Sequence, residues 1–136
     1  VIQRMAVPGV SCVLRKDEDP LFGPVISFSV AGSPAELLDD VAYRIPPLTD
    51  VDVSELMTSV KAAPLLDGHR GATPVDRDAL AELIGRLATL GDDHPELAVV
   101  ELNPVNAWAG GADVLGARIE VRPAAVRKDA GRRAMT

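Results

Sequence analysis

The stretch ELNPVNAWAGGADVLGARIEV, residues 101–121, contains two runs with the alternating pattern of β-strands, separated by a glycine-containing turn. Strand side chains alternate between two faces, so Glu101 and Asn103 of the first run fall on the same face. On the second run, Gly116 and Arg118 share a face in the same way. The stretch therefore predicts two neighbouring strands with one open, polar face.

The opposite face of both runs is apolar and is predicted to meet helices. Its residues are Ala98, Val100, Leu102, Leu115, Ala117, Ile119 and Val121. The first run is predicted to stop at Pro104, because proline has no N–H group for a ladder hydrogen bond.

Two helices are predicted before this stretch. The first, DVSELMTSVKAA, has Asp52 as its N-cap and Glu55 at the capping-box position. The second, DRDALAELIGRLATLG, has Asp76 as its N-cap. Both carry apolar residues at helical spacing, which predicts buried stripes. The stripe residues include Leu56, Met57, Val60, Leu80, Leu83, Ile84 and Leu87.

The N-terminal third favours strands. Residues 1–15 indicate two short strands that break at Pro8–Gly9, KDEDPLFGP indicates a charged turn, and VISFSV and VAYRI indicate further strands. AGSPAELLDD is predicted to open a short helix capped by Ser33. This order of elements predicts an α+β fold, in which helices cover one face of a largely antiparallel sheet.

Composition narrows the class of protein. A chain of 136 residues with 47% hydrophobic residues is most simply one folded domain. The net charge of -6 argues against nucleic acid as the main partner. No apolar run is long enough for a membrane span, and Cys12 is the single cysteine, so a cytoplasmic location is predicted. The chain starts with Val1 inside an apolar run, which we interpret as a fragment of a longer protein.

Glu101 and Asn103 are the candidates for a ligand site. Carboxylate and amide oxygens on a rigid sheet suit magnesium with a bound phosphate. The alternative is that Asn103–Pro104 only ends a strand and starts a turn. GSPAE offers backbone N–H groups that can hold a phosphate, or it is an ordinary capped helix start.

Four motifs bring a known family into view. D-P-x-F-G-P, D-x-A-x-R-x-P-P-L, G-x-R-G and E-L-N-P stand in this chain as DPLFGP, DVAYRIPPL, GHRG and ELNP. In order and spacing the chain resembles the second subdomain of the ATP-grasp domain of NDP-forming acyl-CoA synthetases. The resemblance implies a two-layer subdomain with two main helices on one sheet face. Residues 1–122 would be the C-terminal half of the domain, and residues 123–136 a flexible tail or linker.

The resemblance also implies a ligand site in which some of the family's binding residues are replaced. Asn103 matches the family's magnesium-ligating asparagine, but Gly116 stands where the partner strand of the family carries an aspartate. FSVAG keeps only Gly32 of a glycine-rich motif. The implied nucleotide- and metal-binding residues are Glu101, Asn103, Gly32 and Arg118, all vestigial, with Glu101 and Asn103 as metal ligands and no catalytic residue.

Two functions follow from the resemblance. The first is a degenerate module with a regulatory or structural role, as in the synthetase-like regions of bacterial GNAT protein acetyltransferases. The alternative is a working Mg-ATP/ADP-binding half of an ADP-forming acyl-CoA synthetase, an acid–thiol ligase. Either way the partners would be the rest of the parent polypeptide, namely the first ATP-grasp subdomain and the CoA-binding region, with a GNAT domain in the first case. We expect weak binding of Mg-ATP or ADP, folding without a cofactor, no activity of the fragment alone, and no membrane partner.

Overall fold

The computed structural model describes residues 9–30, 40–68 and 73–123. Its six strands are β1 Val10–Asp19, β2 Gly23–Val30, β3 Ala42–Arg44, β4 Leu97–Trp108, β5 Gly111–Val114 and β6 Ala117–Val121. Its two α-helices are α1 Asp50–Ser59 and α2 Arg77–Asp93, and a 3-10 helix spans Ala63–Asp67. None of the helices in these ranges is long and apolar enough to cross a bilayer.

The strands form one antiparallel sheet in the order β3-β2-β1-β4-β5, and β6 also pairs with β4. Strand β4 therefore pairs with three strands, β1 on one side and β5 and β6 on the other. Its outer edge pairs first with β6, through residues 97–102, and then with β5, through residues 105–108. The predicted α+β class, with an antiparallel sheet and two helices, is confirmed.

The core lies between one sheet face and the two helices. Leu14 of β1 and Phe28 of β2 are fully buried, as are Leu80 and Ile84 of α2. Every predicted stripe residue is buried except Leu83. Leu83 is only partly buried, because it lies at the flank of the α2 stripe and contacts the core from the side.

The two helix starts were predicted with unequal success. Asp76 does cap α2, and its side chain accepts a hydrogen bond from the Ala79 N–H. The cap predicted for α1 is wrong by three residues: Thr49 is the N-cap, and its hydroxyl accepts from the Asp52 N–H at 3.1 Å. Asp52 is instead the N3 residue, whose carboxylate accepts from the Thr49 N–H at 2.9 Å. The helix therefore begins at Asp50.

Strand β4 does not stop at Pro104 but continues to Trp108. The physical reason is a register shift between β4 and β1, because Cys12 pairs with Val105 whereas Leu14 pairs with Leu102. Two residues of β4, Asn103 and Pro104, thus lie opposite the single β1 residue Val13, so β4 has a bulge in which the missing N–H group of Pro104 is tolerated. The acidic residues assigned to a turn also belong to a strand, since β1 extends to Asp19.

The second run of the opening stretch is two strands, β5 and β6, separated at Leu115 and Gly116. The prediction that its apolar face meets the helices is wrong: Ile119 is 57% and Val121 67% exposed. Strand β6 lies at the outer edge of β4, and the helices pack mainly over β1 and β2. Period two predicts which face a side chain occupies, but not how far the helices extend.

Several predicted features lie outside the described residues. They are the strand before Pro8, the short helix capped by Ser33, the last three residues of the GHRG motif, the glycine-motif residue Gly32 and the tail beyond Pro123.

Candidate functional site

The candidate site lies on the sheet face opposite the helices. The pairing registers place Arg15 of β1 beside Glu101 of β4, and Glu101 beside Arg118 of β6. Directly paired residues of antiparallel strands project from the same face. Glu101 and Arg118, two of the residues named from the sequence, therefore share this open face, and Asn103 is an exposed residue two positions beyond Glu101 on β4.

Glu101 lies between two guanidinium groups. Its Oε2 atom is 3.0 Å from Nη1 of Arg15, and its Oε1 atom is 3.6 Å from Nε of Arg118. The Glu101 side chain is only 21% exposed. Both carboxylate oxygens thus already face cations, which a metal ion would have to displace.

Arg15 is held on its other side by Asp17, through an Nε–Oδ2 distance of 2.8 Å. The hydrogen bond that Arg15 donates to Asp17, followed by the bond to Glu101, raises the pKa of the guanidinium, although partial burial acts in the opposite direction. On the far side, Arg118 reaches Glu120 at 2.9 Å. The open face is therefore a row of alternating charges across three strands.

Asn103 and Gly116 are in backbone contact. The Asn103 N–H donates to the Gly116 carbonyl oxygen at 2.9 Å, and the Leu115 N–H donates to the Pro104 carbonyl oxygen at the same distance. A Cβ atom added to Gly116 would lie 2.5 Å from the Asn103 carbonyl oxygen. Glycine is needed here because the two backbones approach so closely.

The donor set does not fit magnesium. Magnesium in such sites needs one or two carboxylates beside the phosphate oxygens of a nucleotide. The open face offers the exposed Asn103 amide and a Glu101 carboxylate already paired with two arginines. Within the described ranges, no group of three or more histidine, cysteine, aspartate or glutamate side chains is arranged to hold a metal.

The sequence analysis missed Lys16. Its side chain is fully buried on the helix side of β1, in the same alternating series as Cys12 and Leu14. The ammonium group donates to the Leu97 carbonyl oxygen and lies 3.1 Å from Glu18. The signal was present, because the alternation that buries Leu14 also buries the lysine two residues later.

Comparison with known proteins identifies the family to which the chain is similar. Residues 1–121 match a family model described as an ATP-grasp domain. The chain is 35% identical over 119 residues to the beta subunit of acetate–CoA ligase [ADP-forming] I from Pyrococcus furiosus, covering 88% of this chain and 51% of that subunit. It is 39% identical over 119 residues to acetate–CoA ligase [ADP-forming] I from Archaeoglobus fulgidus, covering 88% of this chain and 17% of that protein.

A solved structure agrees with these sequence matches. It is the dinucleotide-forming acetyl-coenzyme A synthetase 1 of Ca. Korarchaeum cryptofilum in complex with coenzyme A and Mg-AMPPCP. The TM-score is 0.82 at 39% sequence identity, over 86% of this chain and 55% of that chain. The present chain thus spans about half the length of the P. furiosus subunit and of the solved chain.

Proposed function

Because the chain belongs to the ATP-grasp domain family, as a subdomain homologous to ADP-forming acyl-CoA synthetases, we propose that it is a degenerate half of such a domain. In this proposal residues 1–122 are the C-terminal half and residues 123–136 a flexible tail or linker. The module has a regulatory or structural role inside a larger cytoplasmic polypeptide and carries no catalytic residue.

The close approach of Gly116 to Asn103 is the observation that carries the proposal. The family pattern calls for a metal-binding aspartate at position 116, and a Cβ atom there would overlap the Asn103 carbonyl oxygen. Position 116 therefore lacks the carboxylate, and its backbone lies too close to Asn103 to accept an aspartate side chain without moving. The pairing of Glu101 with Arg15 and Arg118 supports the same conclusion, since arginine charges occupy the positions next to the remaining carboxylate.

The proposed parent is a synthetase-like protein of which this module is one part. The P. furiosus relative is a subunit about twice as long as the matched region. The partners would be the preceding half of the ATP-grasp domain, a CoA-binding region and a GNAT acetyltransferase domain. Measuring protein acetylation and acyl-CoA formation by the intact parent tests this context, because a working synthetase would form acyl-CoA from acid, CoA and ATP.

The second candidate is a working half-site for Mg-ATP or ADP. One observation favours it: Asn103 is exposed two residues beyond Glu101 on β4, which supports an amide oxygen accessible to a ligand. In this case the vestigial residues Glu101, Asn103, Arg118 and Gly32 would still contact the nucleotide. The two candidates differ in affinity and in their response to changes at Asn103 and Gly116.

Mg-ATP is expected to bind the isolated chain only in the millimolar range or more weakly, which corresponds to a binding free energy of about -4 kcal/mol or less in magnitude. The reason is the missing second carboxylate and the arginines that hold Glu101. Calorimetric titration measures the affinity, with Asn103→Ala as the comparison. Micromolar binding that Asn103→Ala weakens at least tenfold would establish the working half-site instead.

Gly116→Asp is expected to lower the unfolding free energy by about 1–3 kcal/mol, as overpacking does, and to leave Mg-ATP binding weak. The added Cβ atom would overlap the Asn103 carbonyl oxygen at 2.5 Å, so the backbone must move before the carboxylate can point at a metal.

A matched pair separates the backbone contact from the charge. Gly116→Ala adds the same Cβ atom and is expected to destabilise, whereas Gly85→Ala adds one where nothing lies within 4 Å and should stabilise α2 by about 0.5–1 kcal/mol. Urea denaturation gives the three values. If Gly116→Asp folds at no cost and tightens Mg-ATP binding, the metal geometry persists and the degenerate reading is wrong.

A further inference from the structure

A long groove runs between α1 and α2 on the solvent side of the helix layer. Its volume is about 1160 Å³, and we call it the helix groove. Val53 and Met57 from α1 and Ala81 and Gly85 from α2 give it an apolar strip. A Cβ atom added to Gly85 would meet nothing within 4 Å, so the strip is open at this position.

Charged residues along the helix groove have an acidic excess. Its lining carries the carboxylates of Asp50, Asp78, Glu82 and Asp93 against the guanidinium groups of Arg77 and Arg86. Both arginines are already engaged, because Arg86 lies 2.7 Å from Glu82 and Arg77 lies 2.5 Å from Asp67 outside the groove.

The acidic excess extends to the end of α2. Asp93 is the last residue of the helix, and the last turn has no basic residue. Helix C-termini carry a partial negative charge and are stabilised by cations. The C-terminal end of the helix groove is therefore a place where a basic segment would relieve repulsion.

The sequence contains such a segment immediately after the last strand. Residues 124–136, AAVRKDAGRRAMT, carry four cationic side chains and one carboxylate, in a chain whose net charge is -6. The described residues end at Pro123. The residue before it, Arg122, donates its backbone N–H to the Glu96 carbonyl oxygen at 2.9 Å. Glu96 lies 3.0 Å from His94, which lines the end of the helix groove. Arg122, two residues before the basic segment, is thus connected through Glu96 to the acidic end of the groove.

We propose that the basic segment, residues 124–136, binds in the helix groove of the same chain through its cationic side chains. Its 13 residues can span up to about 43 Å, whereas the 17-residue helix α2 is about 25 Å long, so length does not limit the contact. A tethered segment has an effective concentration in the millimolar range, so each contact can be weak.

A spin label on the basic segment of the full chain tests this contact. The label is attached to Ala130→Cys. The native Cys12 does not compete, because it is fully buried and burial raises the pKa of its thiol to about 12. At low salt the backbone amide signals of Ala81, Gly85 and Thr89, which line the groove, should lose roughly half of their intensity or more. This loss should reverse in about 1 M salt, where the screening length falls to about 3 Å.

Charge variants identify the groove as the binding surface. Asp78→Asn with Asp93→Asn should reduce the intensity loss at least twofold, whereas the matched pair Glu55→Gln with Glu120→Gln, outside the groove, should not change it. Circular dichroism verifies that each variant folds. If the double variant does not fold, the single variant Asp93→Asn replaces it in the same measurement.

Three outcomes would overturn the proposal. The first is an intensity loss that stays the same in the groove charge variants, or no intensity loss at all. The second is a loss at another surface, such as the hairpin cleft around Phe22 and Tyr43. The third is a loss that appears on an unlabelled, isotope-enriched copy mixed with labelled chain, because this would show contact between two copies.

Discussion

Replacing Lys16 with alanine is expected to lower the unfolding free energy by about 3–5 kcal/mol, the range for removing one partner of a buried ion pair. The Lys16 side chain is fully buried, and the Glu18 side chain that pairs with it is 15% exposed. Its ammonium group also donates to the Leu97 carbonyl oxygen at the start of β4. The lysine therefore ties β1 to the strand that carries the candidate site.

The alkyl part of Lys16 packs closely under the end of α2. A Cβ atom added to Gly91 would lie 2.6 Å from Lys16 Cγ, so the glycine leaves the space that the lysine occupies. The last turn of α2 contains no basic residue, and this lysine brings a cation from the sheet beneath it. Truncation to alanine thus removes packing, a carbonyl's hydrogen bond and a favourable charge near a helix C-terminus.

Urea denaturation at neutral pH measures the cost, with the exposed Lys61→Ala as the control that should stay within about 0.5 kcal/mol of the parent. Lys16→Met keeps most of the volume and removes the charge, so it separates packing from electrostatics. Gly91→Ala should be destabilising alone but much less so in the Lys16→Ala background, because the new methyl group then enters vacated space. A Lys16→Ala cost under about 1 kcal/mol, or strict additivity with Gly91→Ala, would show that the lysine is not held as described.

The residues that local periodicity governs were predictable. The helices, the α+β class and the shared face of Glu101 and Arg118 follow from spacings of 3.6 and two residues. The N-cap of α2 followed from one aspartate. The errors come from distant parts of the chain. Pro104 stays inside β4 because the pairing with β1 shifts register, and no feature near Pro104 indicates this.

The same limit applies to the candidate site. The sequence indicated that position 116 lacks a carboxylate, but only coordinates reveal how close the Asn103 carbonyl oxygen lies to it. Likewise, nothing in the sequence indicated that Glu101 pairs with Arg15, which is 86 residues away along the chain. Such pairings depend on strand register, which a single sequence does not specify for non-neighbouring strands.

Leu80→Ala is expected to lower the unfolding free energy by about 2–5 kcal/mol, the range for deleting a buried leucine side chain. Leu80 lies in the first turn of α2 and is fully buried against the sheet. Neighbouring side chains are held by the sheet below and by α1, so the space left by the leucine cannot close completely.

Leu83→Ala is the matched control, because it removes the same atoms from the same helix. Leu83 is only partly buried, so part of its side chain is in water before the substitution and less apolar area is lost. Its cost should be about 1–2 kcal/mol, below that of Leu80, when both are measured by urea denaturation with an unchanged m-value. Equal costs, or a larger cost for Leu83, would mean that α2 is rotated about its axis relative to the described packing. That rotation would also move Ala81 and Gly85 out of the helix groove, so this comparison tests the surface on which the basic segment is proposed to bind.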